Sequence, residues 1–441
     1  MKRIVASVGL VAVGASSLQA ALLPGMTAES GKPWTVGATL RGFYDDNVNT
    51  VANSYTAPGF QRGSSGFEVS PYLEFSFPME QTTISFGYVY SLKYYENKPV
   101  NNTDHYDQSH DFHASLSHAF SERYQISVKD SFVVGQEPDL LRSGSTFNTF
   151  QRISGDNLRN YGGVTFNAMI TPELSTEVGY ANTYYSYADN QNTDGAGNFT
   201  QASLSGLMDD VDQVFHLDLR YQVKPQTVGF IGYQFRDIDY IGNQQIGAYT
   251  DINGKNVRVV SNERNARSHY GYLGVEQNFS QELKGSIRGG ARYTDYYNNP
   301  ASQNGVGPYA AASLSYTYLP ESYLQAGVNY DYSPSSVFSV SNAGDLTLNA
   351  QTLAVFAAVN HRITPKLYGT VLAQFQNSAY NGGTYDGQSQ QYYLLGLNLQ
   401  YRFTPNFSAE VGYNYDDVVS NISSQPSFDR NRVYLGVTGS Y

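Results

Sequence analysis

Apolar and polar residues alternate along most of this chain, in runs about as long as a strand that crosses a membrane. In the run 433–441, one face carries Val433, Leu435, Val437 and Tyr441, and the other carries Tyr434, Thr438 and Ser440. Successive side chains of a strand point to opposite faces, so this pattern predicts strands with one apolar and one polar face. Runs of about 9–11 residues can span a bilayer when they are tilted.

Tight turns alternate regularly with longer polar loops between these runs. The tight turns are at 77–80, 120–123, 170–173, 223–226, 279–282, 319–322, 363–366 and 403–406. The loops, rich in Asn, Asp, Gly and Ser, are at 46–65, 98–106, 138–156, 188–210, 241–266, 296–306, 334–347, 380–388 and 418–428. Eight turns and nine loops connect eighteen strands. The prediction is an all-β fold, a transmembrane antiparallel up-and-down β-barrel of about 18 strands.

The strands of a soluble β-sandwich also alternate apolar and polar residues, but two further features favour a barrel. Aromatic residues cluster near both ends of the predicted strands, as in the girdles of outer-membrane barrels. The short turns are typical of the periplasmic side, which would then carry Ala21 and Tyr441.

Three polar residues fall on the apolar phase of their predicted strands. His118 and Gln277 are near turns, and Asp130 is interpreted as a bulge or an error of register.

The composition excludes disulfides, thiolate metal sites and transmembrane helices. The 441 residues include no Cys, which excludes disulfides and thiolate metal sites. No later segment has eighteen consecutive apolar residues, so no transmembrane helix is predicted, and a closed barrel is the other structure that lipid permits.

The N-terminus has the features of a secretory signal. Lys2 and Arg3 precede an apolar stretch at 4–15, and Leu18-Gln19-Ala20 is a small-residue cleavage site. The prediction is a cleaved signal peptide at 1–20 and an outer-membrane barrel domain at 21–441, with a membrane anchor as the alternative. Removal of residues 1–20 leaves 25 basic and 38 acidic residues, a net charge of −13. This acidity argues against nucleic-acid binding.

Candidate sites for metals or catalysis are weak. His110 and His113, three apart on a strand, face opposite sides and do not form a metal site, and His105 and His118 add no ligand set. The loop 241–256 offers oxygen ligands for Ca²⁺ but lacks an EF-hand spacing. Asp212, His216 and Asp218 share one face, yet no Ser is marked as a nucleophile. No enzyme activity, cofactor or metal is expected.

Charged residues fall on the polar phase and are therefore expected to face the lumen, because charges facing lipid are costly. The candidate pore-lining residues are Arg41, Lys93, Arg220, Arg236, Lys284, Arg288, Arg292, Arg402, Glu177, Glu276 and Glu410. They could set ion selectivity or form a structural network, and the sequence leaves both interpretations open. In the second, Arg288 and Arg292 would pair with carboxylates such as Glu276.

Four short motifs resemble the putative beta-barrel porin type 2 family of outer-membrane proteins. They are Tyr44-Asp45-Asp46-Asn47, Val69-Ser70-Pro71, the hairpin that runs from Tyr401-Arg402-Phe403-Thr404-Pro405 to Tyr413-Asn414-Tyr415-Asp416-Asp417, and the closing strand that starts at Asp429-Arg430-Asn431-Arg432. The resemblance covers essentially the whole mature chain. It implies no catalytic residues, and because some members are encoded beside exopolysaccharide genes, it implies a saccharide as one solute.

The leading hypothesis is therefore a porin-like channel in the outer membrane for small polar solutes or saccharides. A plugged barrel that acts as a structural or adhesion protein through its loops is the alternative, and a soluble all-β binding module is the third. Expected partners are outer-membrane lipid and the barrel assembly machinery, which would recognise the closing strand. Tyr441 is the candidate assembly signal, although Gly439 departs from the apolar residues usual in such signals.

Overall fold

Eighteen antiparallel strands form one closed sheet in the computed structural model. The structure describes residues 32–55, 60–97, 105–136, 155–189, 193–194, 198–299, 304–335, 337–422, 425 and 427–441. The predicted signal peptide at 1–20 is outside the described residues. The barrel strands are β1 Trp34–Asp45, β2 Ser64–Pro78, β3 Thr82–Tyr95, β4 Tyr106–Ala119, β5 Tyr124–Gly135, β6 Asn157–Met169, β7 Leu174–Tyr187, β8 Asp210–Lys224, β9 Thr227–Tyr240, β12 Ala266–Asn278, β13 Leu283–Asp295, β14 Gly305–Leu319, β15 Ser322–Pro334, β16 Asn349–Arg362, β17 Leu367–Asn381, β18 Ser389–Thr404, β19 Phe407–Ser420 and β20 Phe428–Ser440.

Each strand pairs with its neighbours along the chain, and β1 also pairs with β20, which closes the sheet. The predicted strand number, the eight tight turns and the nine longer connections are confirmed. Among the described residues, no helix is long and apolar enough to cross a membrane.

The apolar phase of each strand faces outward. Leu273, Ile287 and Leu435 on this phase remain 68%, 63% and 66% exposed, although they are large and apolar. On the opposite phase, charged and amide side chains are largely buried inside the barrel. This inversion of a soluble protein's pattern fits a barrel whose outer face contacts lipid.

The connection between β9 and β12 contains secondary structure that the sequence pattern did not predict. Residues 241–265 form a hairpin of β10 Gln245–Thr250 and β11 Asn256–Val260, followed by a 3-10 turn at Ser261–Arg264. A short helix, α1 Leu204–Met208, precedes β8, and Ser203 caps it by accepting a hydrogen bond from Gly206.

These loop elements pack together at the predicted extracellular end. Their apolar cluster comprises Ile246, Val259, Ala266, Tyr296, Leu346 and Leu348, with Leu207 and Phe338 against it. Arg264 is 1% exposed and donates hydrogen bonds to the Leu207 and Ser335 carbonyls and the Tyr240 hydroxyl. We call this assembly of α1, the β10–β11 hairpin and the 337–348 segment the loop cap.

The closing seam between β1 and β20 is reinforced by two of the short motifs. Arg430 binds the Asp45 carboxylate in a bidentate manner, and Asp46 accepts hydrogen bonds from the Asn431 backbone and side chain at 2.7 and 2.8 Å. The Asn47 amide donates to the Asp429 carbonyl at 2.9 Å. The Tyr-Asp-Asp-Asn and Asp-Arg-Asn-Arg motifs are therefore partners across the seam.

The interpretation of Asp130 as a bulge or an error of register was wrong. The pairing of β5 with β4 and with β6 runs without a register shift, so there is neither a bulge nor an error of register at this position. Its carboxylate lies on the outer face, where it accepts a hydrogen bond from Asn160 at 3.0 Å. His118 and Gln277 also face outward, and each bonds a threonine beside a turn.

Candidate functional site

The inner wall of the barrel is the candidate site. All eleven predicted pore-lining residues lie on the inward phase of their strands. Their partners divide them into groups on different parts of the wall, and alternation alone did not predict these groups.

The first group lies on β18–β20 and β1–β3. Arg41 donates from Nε to Glu410 at 2.7 Å and lies 3.6 Å from Glu68. Asn398 bridges the group, since its amide donates to Glu410 at 3.0 Å and to the Tyr434 hydroxyl at 2.9 Å. Lys93 is directly opposite Glu68 and interacts with its charge.

The second group lies on β7, β8, β12 and β13. Arg220 forms an ion pair with Glu276 and approaches Glu177 at 3.9 Å. Arg288 lies 5.5 Å and 5.3 Å from the ring centroids of Tyr272 and Tyr309. The network interpretation offered Glu276 as one partner for Arg288 and Arg292, but Arg220 holds this carboxylate and reaches it across β9.

The third group lies nearer the loop cap. Arg236 binds Asp212 at 2.6 Å, and the Tyr270 hydroxyl donates to Asp331 at 3.2 Å. Arg292 donates to the Tyr332 carbonyl and stacks on that ring at 4.1 Å. Arg236, Tyr270 and Asp331 are almost completely buried by their neighbours.

Two predicted residues stand apart from these groups. Arg402 lies 4.1 Å from the Tyr368 ring centroid on the inner face. Lys284 occupies the second position of β13, close to the turn that precedes it. Both are at the predicted periplasmic end of the lumen.

His110 and His113 of β4 point to opposite faces, as their spacing predicts. His110 bonds the outward Tyr88 hydroxyl at 2.8 Å, whereas His113 faces inward and bonds Glu74 at 3.0 Å. No group of three metal-ligating side chains occurs among the residues that the structure describes. Asp251, in the loop considered for Ca²⁺, accepts from the backbone of Asn253 and Lys255 in a tight turn.

Asp212, His216 and Asp218 share the inner face of β8 but have different partners. Asp212 binds Arg236, His216 lies 3.4 Å from Glu177, and Asp218 accepts from the Tyr272 hydroxyl at 2.6 Å. Each group is engaged in the wall of the lumen, so the three do not form a relay for a nucleophile.

The inward rings are the feature that sequence reasoning missed. At seven inward glycines, a Cβ would overlap the ring directly opposite on the next strand. The pairs are Gly37–Tyr72, Gly66–Phe43, Gly179–His216, Gly232–Tyr272, Gly274–Phe230, Gly327–Phe356 and Gly412–Tyr434. The signal was a glycine on the polar phase of one strand, matched by an aromatic residue on the polar phase of its neighbour.

Positive and negative charges are mixed on this wall, and most lie within ion-pair distance of each other. Such a surface offers both hydrogen-bond donors and acceptors without a large excess of either charge. It is suited to contact polar solutes and water, and its pairs also stabilise the inner wall.

Several solved structures are similar to this chain at low sequence identity. OccAB4 of Acinetobacter baumannii is 12% identical, with 94% of this chain and 100% of that chain covered and a TM-score of 0.43. OccK9 (OpdG) of Pseudomonas aeruginosa is 11% identical, with 92% and 98% covered and a TM-score of 0.43. The siderophore receptor PirA of Acinetobacter baumannii is 7% identical, with 92% and 80% covered and a TM-score of 0.44. These likenesses support no conclusion about function.

No curated protein matches the chain. A family model matches residues 38–441, which is the whole barrel apart from the start of β1. The closed sheet and its apolar outer face agree with that match and with a location in the outer membrane. The resemblance of the short motifs is therefore confirmed over nearly the full length, and the chain belongs to the family described as "Putative beta-barrel porin 2".

Proposed function

We propose that this protein is a channel for the passive passage of small polar solutes, including saccharides, across the outer membrane. The observation that carries the proposal is the charged and polar inner face of a closed barrel of eighteen strands. Barrels of sixteen to eighteen strands are wide enough to leave an aqueous channel. The saccharide is supported by the family resemblance, and no step of the proposal requires a catalytic group.

Single-channel recording in planar bilayers tests this function. We expect discrete conductance steps from the purified, refolded protein, and a liposome-swelling assay should detect entry of small sugars.

Exchange of both Arg288 and Arg292 for Glu should shift the reversal potential towards cation preference, because both side chains face inward. Absence of conductance and of swelling, with a correctly folded barrel, would refute the channel.

A plugged barrel that acts through its surface loops is the second candidate, and the loop cap favours it. The cap is tied together by the buried Arg264 and by an apolar cluster at one end of the barrel. Replacement of residues 244–260 by a short Gly-Ser linker distinguishes the candidates. A silent barrel that conducts only after this replacement is plugged by the cap, whereas a barrel that conducts equally well before and after is open.

We also propose that residues 1–20 are a cleaved signal peptide and that residues 21–441 form the barrel domain. N-terminal sequencing of protein isolated from outer membranes should begin at Ala21.

We propose that the strand β20 is the contact for the barrel assembly machinery and that Tyr441 is the aromatic residue that this machinery recognises. Removal of Tyr441 should reduce the amount of folded protein in the membrane, and normal amounts would contradict this role.

A further inference from the structure

Phe43 and Tyr434 form an aromatic pair on the inner wall beside the closing seam. They are directly opposite each other on β1 and β20. Each ring extends away from the other onto a glycine, Phe43 onto Gly66 of β2 and Tyr434 onto Gly412 of β19. The two rings are therefore spread over four adjacent strands, a width of roughly 14 Å at about 4.8 Å per strand.

The glycines let both rings lie against the backbone of the wall. The Phe43 ring also meets the Tyr95 ring in a T-shaped contact at 5.2 Å, and the Arg41 guanidinium lies over the Tyr434 ring, so each ring offers only part of its surface to the lumen. Both rings remain partly exposed. The inward rings of the opposite wall differ, because Tyr270, Tyr272 and Tyr309 pack on each other and are at most 5% exposed.

Polar side chains lie next to the two rings on the same wall. The Arg41 guanidinium is 5.3 Å from the centre of the Tyr434 ring, and its side chain is 25% exposed. Arg41 and Lys93 are balanced by Glu68 and Glu410, and Asn398 joins Glu410 to the Tyr434 hydroxyl. Donors and acceptors are thus both present, with no excess of positive or negative charge among these residues.

We infer that Phe43 and Tyr434 form a binding subsite for a neutral oligosaccharide. The inference rests on the proposed channel function and specifies where a sugar would bind along the wall. The C–H groups on the flat face of a pyranose meet the negative face of an aromatic ring favourably. The hydroxyl groups at its edge both donate and accept, as the residues beside the rings do. An anion or an aromatic acid would instead require an excess of positive charge.

Binding of maltohexaose tests the subsite in two ways. Its addition to a conducting barrel should produce brief current interruptions whose frequency rises with sugar concentration. Calorimetry on the barrel in detergent should give saturable binding that does not depend on conductance. Polyethylene glycol of matched size controls for simple obstruction, because it has no pyranose face.

Phe43→Leu combined with Tyr434→Leu removes both aromatic faces while an apolar side chain stays over each glycine. We expect about tenfold or more weaker binding of maltohexaose, measured by calorimetry. Phe67→Leu is the matched control, because Phe67 is on β2 but faces outward, and its affinity should equal that of the native protein.

The outcomes separate this inference from the channel proposal. A conducting protein without saturable sugar binding overturns the subsite and leaves the channel intact. Calorimetric binding that is equally strong in the double variant also overturns it, because the sugar then binds elsewhere. A non-conducting barrel that binds maltohexaose through these two residues contradicts the channel and supports the subsite.

Discussion

Asp130 is an acidic residue on a surface that is mostly apolar. It is the seventh of the twelve residues of β5, far from both strand ends, and the neighbours directly opposite it are Ala114 and Gly162. A charge facing the middle of a bilayer destabilises a barrel, although acidic residues cost less than basic ones. Asn160 is the side chain seen to hydrogen-bond its carboxylate, and a neutral amide could keep that contact.

Asp130→Asn should therefore raise the free energy of unfolding by about 1–2 kcal/mol, because it removes the charge from the outer face. Urea unfolding of the barrel in lipid vesicles measures the change. Asp416→Asn is the matched control on the inner face. It weakens the contact with Arg432 at 2.7 Å and should cost about 3 kcal/mol. A loss of stability in Asp130→Asn would contradict this account.

Asp209 gives the loop cap a dependence on pH. Burial raises the pKa of this carboxyl to about 6, against the effect of the Tyr187 backbone N–H that donates to it. A raised carboxyl pKa means that the folded cap binds the proton more tightly than the unfolded segment does. The stability of the cap should rise as the pH falls from about 6 towards 4.

Hydrogen exchange of residues 204–210 measures this effect. Protection factors should be higher at pH 5 than at pH 7.5, by about tenfold at most, since the group is partly exposed to solvent. Asp209→Asn resembles the protonated form and should abolish the difference. Equal protection of the native protein at both pH values would show that this carboxyl does not control the cap.

Alternation along the sequence predicted the direction of each charged residue but not its partner. The inward positions of Arg41, Arg220 and Arg288 follow from the period of a strand alone. Arg220 finds Glu276 across the intervening strand β9, and that contact depends on the register of three strands and on the long reach of both side chains. Register is fixed by turns and packing, which one sequence does not show.

At the scale of the strands, glycine opposite a ring is the recurring packing device. The ring covers the backbone of a residue that has no side chain, which compensates for the poor packing of glycine in a strand. Gly412 and Tyr434 show the tightest fit among the tyrosine pairs, and a methyl group at Gly412 would occupy the place of the ring.

Gly412→Ala should thus destabilise the barrel by about 1–3 kcal/mol, because the Tyr434 ring must move from its place. It should also break the hydrogen bond from Asn398. Gly42→Ala is the control, since nothing lies within 4 Å of a Cβ at that outward glycine. Unfolding in urea should be nearly unchanged there. Equal effects of the two substitutions would argue against a special role of the ring.

The β10–β11 hairpin shows what the prediction of elements missed. The segment 241–266 is rich in turn-forming residues and was predicted only as a loop between two barrel strands. Yet Asn253-Gly254 is a strong turn signal between the two short apolar alternations of 245–250 and 256–260. The barrel strands were more readily identified because each has a long outward apolar face, whereas a hairpin packed on other loops has a shorter pattern.

For the whole molecule, the orientation in the membrane is open to a direct test. The absence of native Cys gives a chain without background labelling. Cys introduced at Gln201 or at Ile252, on the side of the longer loops, should react with an impermeant maleimide on intact cells. Cys at Lys366, in a tight turn, should react only after the cells are opened. Labelling of Lys366→Cys from outside would reverse the assigned orientation.

The closing seam has a consequence for the order of strands in the chain. The Tyr441 ring lies 3.6 Å from the Lys32 ammonium, and the Tyr441 backbone pairs with Val36. The start of β1 and the end of β20 therefore lie side by side. In a ring of strands that are each bonded to both neighbours, no strand is structurally first. A circular permutant in which a short linker joins these ends and the chain opens at the 405–406 turn would keep all eighteen pairings. The contacts of the Tyr-Asp-Asp-Asn and Asp-Arg-Asn-Arg motifs, now long-range in sequence, would become the contacts of one hairpin.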